Sequence, residues 1–110
     1  MKNPTYIYIA GAMTGLPLKN FPAFMKAAKD LRKAGYKVVN PAELETIKPI
    51  CTTWEQCLRR DLIHILGKCY AIAMLSGWKR SRGAQLEASM ARQLDMQVHS
   101  VNYWLEKGDK

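Results

Sequence analysis

The chain has 110 residues, of which 48% are apolar and 24% are charged, a composition typical of a soluble globular protein with one domain over residues 1–110. No apolar run approaches the roughly 20 residues that a membrane-spanning helix needs, and the first apolar segment is too short for a secretory signal. The formal net charge of +8 favours anionic partners such as nucleotides, phosphorylated metabolites or nucleic acid.

The three cysteines, Cys51, Cys57 and Cys69, are odd in number and lack the paired spacing of a zinc site. This pattern predicts reduced thiols in a cytoplasmic protein that holds no metal. The sequence contains neither GxGxxG nor GxxxxGK followed by Ser or Thr, and we expect no cofactor.

The first predicted element is a strand from Thr5 to Ala10, which is apolar on both faces as a central parallel strand should be. Small residues follow it over Gly11 to Gly15, where a ligand can approach the backbone closely, although glycines after a strand are also ordinary turn residues. Asn20 is predicted to cap a helix that starts near Phe21, and Gly35 to close that helix.

A short second strand is predicted over residues 36–40, followed by a loop over residues 41–53 and a helix over residues 54–66. Thr52 or Thr53 would cap this helix. Its apolar face contains Trp54, Leu58, Leu62 and Ile65.

Asp61 lies on the margin of that apolar face, about 60° from Leu58 on the helical wheel. One interpretation gives this carboxylate a role in a functional site. The other is purely structural, because Arg59 and Arg60 precede it and can pair with it.

The second half of the chain predicts a buried strand over residues 69–75, a loop over residues 77–83, and then a helix. A fourth strand over residues 97–101 and a short terminal helix over residues 102–107 follow. Trp78, in the loop, either stacks on a base or packs against the protein. Lys79, Arg80 and Arg82 attract a phosphate or are simply solvated.

Glu87 lies where a core-facing residue is expected. On a wheel of about 100° per residue, one arc of about 120° holds Met90, Leu94, Glu87, Ala91 and Ala84. Burying an ionised carboxylate costs several kcal/mol unless other groups compensate. Glu87 is therefore either a functional carboxylate or a structural one that bonds an arginine such as Arg82 near the helix start.

Strands and helices alternate along the chain, which predicts an α/β fold with right-handed crossovers. We expect an open parallel sheet of four strands, or five, in a Rossmann- or flavodoxin-like three-layer sandwich with strand order 2-1-3-4. Ligands bind such sheets at the carboxyl ends of the strands, where the strand order reverses. The loops over residues 11–15 and 77–83 both start there, and Glu87 and Asp61 are predicted to lie close by.

Four segments of the chain resemble the nucleoside 2-deoxyribosyltransferase superfamily, which includes the 2′-deoxynucleoside 5′-phosphate N-hydrolases. They are YIAGAMTG (8–15), NPAE (40–43), RRD (59–61) and LSGWKRSRGAQLEASMARQL (75–94). The last is the most specific, because Ser-x-Gly-Ala followed by x-x-Glu at a helix start resembles that superfamily's nucleophile signature. Within the superfamily the chain is most similar to a branch common in phages and bacteria.

The resemblance implies a single nucleoside 2-deoxyribosyltransferase-like domain in which Glu87 is the nucleophile that attacks the anomeric carbon. Asp61 would support the sugar and the leaving base. The loop after the first strand would lie against the sugar, and the loop with Ser81 would hold a 5′-hydroxyl or 5′-phosphate. The implied substrate-binding residues are Tyr8, Gly11, Ala12, Met13, Ser81 and Gly83, with Trp78 added for the base.

The preferred interpretation is an enzyme that cleaves the N-glycosidic bond of a 2′-deoxynucleoside or its 5′-monophosphate, or exchanges its base. A nucleotide-binding protein without turnover, such as a sensor or a sequestering protein, is the alternative, since Ala12 and Tyr70 stand where many relatives have serine and aspartate. A third interpretation is a nucleic-acid-associated protein, which is not favoured because no recognition motif is present.

The expected partners are accordingly a small deoxynucleoside or deoxynucleotide, with no membrane. The resemblance and the apolar segment Tyr103 to Leu105 also predict a homo-oligomer.

Overall fold

The computed structural model describes residues 4–108. The strands are β1 (Tyr6–Ala10), β2 (Lys37–Val39), β3 (Cys69–Met74) and β4 (Gln97–Ser100). The α-helices are α1 (Phe21–Lys33), α2 (Pro41–Leu44), α3 (Trp54–Lys68), α4 (Arg82–Gln93) and α5 (Val101–Lys107), with short 3-10 helices over Pro17–Asn20 and Trp78–Arg80.

The four strands form one parallel sheet with the order β2-β1-β3-β4, which confirms the predicted fold class and strand order. β1 lies in the centre, with Tyr8 beside Val39 of β2 on one side and Ile72 of β3 on the other. The strand order reverses between β1 and β3, so the carboxyl ends of these two strands flank the crevice where ligands bind in such sheets.

Helices cover both faces of the sheet. Alternate residues of β1 point to opposite faces, so Ile7 and Ile9 pack against α1 and α5, whereas Tyr8 and Ala10 belong to the cluster with α3 and α4. Because β1 and β3 are buried on both faces, their sequences are nearly continuous apolar runs. Tyr8 nevertheless places a hydroxyl group in this core, where the residue is 1% exposed.

Two local predictions are wrong in detail. The segment over residues 41–53, predicted as a loop, begins with the helix α2. Asn40 caps this helix, because its side-chain oxygen accepts from the Ala42 amide at 3.0 Å. α1 does begin at Phe21, but Asn20 has a left-handed backbone and its side chain donates to the Ala12 carbonyl at 3.0 Å instead of capping the helix.

The buried face of α4 differs from the predicted arc. Glu87 is buried as predicted, together with Ala84, Ala88 and Ala91. Leu94, however, is 55% exposed. The small alanines let the helix backbone lie close to the sheet, and the larger Leu94 is left at the end of the helix, beyond the sheet contact.

The predicted reduced state of all three cysteines is also wrong. Cys51 and Cys57 form a disulfide that ties the loop before α3 to the first turn of that helix. Cys69 is free and buried, and burial raises the pKa of its thiol to about 12. The two cysteines are six residues apart, one in a loop and one at the start of a helix, and this spacing did not predict a disulfide.

Trp104 of α5 packs into the core instead of forming an outward-facing apolar segment. It is 3% exposed and its indole nitrogen donates to the Ile72 carbonyl at 3.0 Å. The homo-oligomer predicted partly from this segment stays a prediction. Among the helices described between residues 4 and 108, none is both long and apolar enough for a membrane span.

Gly11, at the end of β1, is required by a close contact with Leu75. A Cβ atom added at Gly11 would lie 2.8 Å from Leu75 Cδ1 and 2.9 Å from Leu75 Cβ. The backbone of the β1 loop can lie this close to the end of β3 only because residue 11 has no side chain.

We therefore expect Gly11→Ala to lower the free energy of unfolding by about 1–3 kcal/mol, the usual cost of overpacking a core contact. Gly67→Ala is the matched control, because a Cβ there meets nothing within 4 Å in a helix, and it should be neutral or slightly stabilising. Urea unfolding of both variants tests this, and equal stability of the two would contradict it.

Candidate active site

Glu87 is held at the centre of the site by the start of α4. The helix begins after Ser81, whose hydroxyl accepts from the Ala84 amide at 3.1 Å, and Glu87 follows less than one turn after Ala84 on the same face. Its carboxylate is therefore directed at the sheet, where residue 87 is 5% exposed. The Tyr8 hydroxyl donates to Glu87 Oε2 at 2.8 Å in a buried hydrogen bond.

Asp61 approaches the same place from α3. Its Oδ1 accepts from Arg60, at 3.0 Å from Nε and 2.9 Å from Nη2. Arg60 Nη1 also donates to Glu45 Oε2 at 2.8 Å, and Lys19 completes this ion-pair network at 3.5 Å from Glu45 Oε1. Asp61 is thus neutralised by Arg60, as its structural interpretation predicted, while also lying beside Tyr8 and Glu87.

Burial first, and then the negative charge of Asp61, raise the pKa of Glu87 to about 8. The Tyr8 hydrogen bond and the positive charge of Arg60 oppose this shift. Burial also raises the pKa of Asp61, with Arg60 opposing it, and burial followed by Glu87 raises the pKa of Tyr8 well above its usual value. At pH 7, which lies below the pKa of about 8, Glu87 is therefore mainly protonated.

A cavity of about 410 Å³ reaches these groups beyond the carboxyl end of β1. A volume of this size is within the range of small-molecule sites. Its wall combines the β1 loop, the segment before α3, α3 itself and the start of α4. The principal lining residues are Tyr8, Gly11, Met13, Glu45, Cys51, Trp54, Cys57, Arg60, Asp61, Ser81, Gly83 and Glu87.

Of the residues assigned to the site from the sequence, the cavity brings together Tyr8, Gly11, Met13, Asp61, Ser81, Gly83 and Glu87. Ala12 and Trp78 are not among the described residues that line it. Ala12, in the loop after β1, is buried. Trp78 packs against the α3–α4 side of the core and lines a separate cleft.

Trp54 lines the cavity although its sequence position did not predict a site residue. Trp54 is the first residue of α3, and its indole nitrogen lies 3.6 Å from the place where a Gly83 Cβ would be. The Arg82 guanidinium lies over its ring at 4.2 Å. The only sequence signal was its apolar position on α3, which is equally typical of a core residue.

Glu45, Cys51 and Cys57 offer ligand atoms within 4.8 Å of one another, a spacing compatible with a metal ion. Here the two sulfurs share a disulfide, and Arg60 Nη1 lies 2.8 Å from Glu45 Oε2 and 3.2 Å from Cys51 Sγ. The Arg60 guanidinium therefore provides the positive charge at this point.

Comparison with known protein families finds one family model that matches most of the chain. The family described as "Domain of unknown function (DUF4406)" matches residues 5–100. The chain belongs to the DUF4406 family. The match includes β1, the RRD segment and the whole of α4. A search of curated proteins found no match.

In this DUF4406 protein the raised pKa of Glu87 makes stability depend on pH. The folded-state pKa of about 8 lies above the ordinary 4.5, so between these values unfolding releases a proton. The wild-type free energy of unfolding should therefore fall as pH rises from about 5 to 8, by up to about 1.4 kcal/mol per pH unit from this group.

Glu87→Gln keeps an oxygen that accepts from Tyr8 but cannot ionise. We expect this variant to match the wild type near pH 5 and to be more stable at pH 8.5, as measured by urea unfolding across that range. A constant difference between the two proteins at every pH would contradict a neutral Glu87 in the fold.

Proposed function

We propose that this protein cleaves the N-glycosidic bond of a 2′-deoxynucleoside or its 5′-monophosphate, or exchanges its base, with Glu87 as the nucleophile. The observation that carries the proposal is the Glu87 carboxylate, which is buried, faces a cavity and is bonded by the Tyr8 hydroxyl instead of an arginine. A structural carboxylate in a core would be expected to have a cationic partner.

In the proposed reaction, a Glu87 oxygen forms a bond to C1′ of the sugar while the C1′–N bond breaks. The departing base takes the bonding electrons and accepts a proton from the Asp61 carboxyl. Water or another base then attacks C1′, returns a proton to Asp61 and releases the Glu87 carboxylate. Two carboxyl groups beside one oxocarbenium-like transition state suit this chemistry, since one forms the ester and the other handles the proton.

The start of α4 favours a substrate with a polar or anionic 5′ group. Ser81 and Gly83 line the cavity at the N-terminus of a 12-residue helix, whose first backbone donors point outward. Arg82, stacked on Trp54, adds a positive charge at the same end. Trp54 also provides an aromatic wall for a base, which is the role that the sequence predicted for Trp78.

Two further parts of this proposal concern the setting of the protein. We propose that the protein is a homo-oligomer, because the chain resembles the deoxyribosyltransferase superfamily. We also propose a cytoplasmic location, because the proposed substrate is an intracellular metabolite. Disulfides such as Cys51–Cys57 are more common in oxidising compartments.

A second candidate is a nucleotide-binding protein of the same fold without turnover. One observation favours it: the raised pKa leaves Glu87 protonated near neutral pH, and a protonated carboxyl is a poor nucleophile. Binding of substrate beside Arg60 and Asp61 would have to lower that pKa for rapid catalysis.

The direct test incubates the protein with a panel of 2′-deoxynucleosides and their 5′-monophosphates and separates the released bases by chromatography. We expect base release from at least one member, and at least about a 10³-fold loss in Glu87→Ala because the nucleophile is removed. Glu106→Ala removes an exposed carboxylate on α5 and should leave the rate unchanged.

Saturable nucleotide binding without base release would reject the enzyme and favour the binding protein. Base release that survives in Glu87→Ala would reject Glu87 as the nucleophile.

The pH profile provides an independent test of the carboxyl pair. The rate should rise with pH as Glu87 loses its proton, with a midpoint near its pKa of about 8. Asp61→Asn removes a negative charge that raises this pKa, so the midpoint of the kcat/KM profile should move to lower pH even if the maximal rate falls. An unmoved midpoint would show that the two carboxyls are not coupled.

A further inference from the structure

A second concavity of about 840 Å³ lies at the carboxyl ends of β3 and β4, on the other side of the loop that leads into α4. We call it the Trp78 cleft. Lys79 and Arg80 of the short 3-10 helix line it, together with Arg92 near the end of α4. None of the residues proposed to act on the sugar lines this cleft.

The cleft carries an excess of positive charge. Lys26 also lines it but is paired with Asp30 at 2.7 Å, the one carboxylate in the lining. Between residues 4 and 108, no ion pair that the structure describes includes Lys79, Arg80 or Arg92. These three exposed cations are thus available to an anionic partner.

Two of these cations lie close to the aromatic ring of Trp78. Its ring is half-buried against the core, with Lys79 Nζ 6.0 Å and the Arg92 guanidinium 5.7 Å from the ring centroid. Within the loop, the Trp78 carbonyl accepts from the Ser81 amide at 3.0 Å and the Gln85 side chain donates to the Lys79 carbonyl. These hydrogen bonds hold the backbone that carries Lys79 and Arg80.

We propose that the Trp78 cleft binds a single-stranded oligonucleotide, as a site separate from the Glu87 cavity. Several unpaired cations beside an aromatic ring in an open groove are the combination that single-stranded nucleic acids require: the cations contact successive phosphates, and the ring contacts a base. The cleft has about twice the volume of the Glu87 cavity, which leaves room for more than one nucleotide.

The test measures the affinity of a fluorescently labelled 12-nucleotide single-stranded DNA by anisotropy over a range of salt concentrations. The variant Lys79→Ala/Arg80→Ala/Arg92→Ala should bind at least about tenfold more weakly, because three phosphate contacts are lost. The slope of log Kd against log salt should become shallower by about 2, as expected for three fewer counterions released from a single strand.

A matched control removes the same amount of charge from the opposite end of the sheet. Lys33, Lys37 and Lys68 are exposed at the amino ends of the strands, with Lys37 and Lys68 near the Tyr6 ring. The triple alanine variant at these positions should keep the wild-type affinity and slope. Equal losses in both triple variants would show only a response to net charge and would overturn the proposal.

Three other outcomes would also overturn it. One is binding of a 12-base-pair duplex as tightly as the single strand. Another is loss of oligonucleotide binding in Glu87→Ala, which would place the ligand in the other cavity. The third is a dimer that the cleft variant converts to a monomer without any oligonucleotide binding, which would assign the cleft to a second copy of the chain. Absence of base release from deoxynucleotides would leave this proposal untouched.

Discussion

The buried hydrogen bond from the Tyr8 hydroxyl to Glu87 joins the central strand to α4, and the arrangement of the site depends on it. A tyrosine in the middle of an apolar strand and a glutamate on the buried face of a helix would each be costly alone. Together they satisfy each other across 79 residues of chain. The pair also fixes the orientation of the carboxylate relative to the crevice between β1 and β3.

A second set of charges supports this pair from α3. Arg60 bonds Asp61 and Glu45 and contacts Cys51, which lies in the loop that the disulfide ties to α3. A single guanidinium therefore connects one carboxylate of the cavity to the segment that covers it. It also holds Asp61 close enough to Glu87 for the negative charge of Asp61 to raise the pKa of Glu87. The cavity therefore holds two carboxyl groups in different surroundings, since Asp61 is paired with a guanidinium and Glu87 is bonded by a tyrosine hydroxyl.

The loop between β3 and α4 contributes to two surfaces at once. Its end, with Ser81 and Gly83, lines the Glu87 cavity, while its middle, with Trp78 and Lys79, lines the neighbouring basic cleft. Different residues of one loop therefore line the two cavities. The chain belongs to the DUF4406 family, and a shared fold does not by itself define an activity.

The sequence alone determined the α/β class, the strand order and the burial of Glu87. Apolar periodicity identifies each strand and helix locally, and the rules for connecting parallel strands leave few ways to arrange them. Asp61 was also identifiable from its place on the helical wheel. Only the tertiary structure decided which partners these groups meet: Tyr8 for Glu87, Arg60 rather than Arg59 for Asp61, and Cys57 for Cys51. The tertiary structure also places Trp54 in the wall of the cavity, where the sequence had predicted Trp78. Contacts between distant segments depend on how helices rotate and slide against the sheet, and a residue's own neighbours in sequence do not encode that rotation.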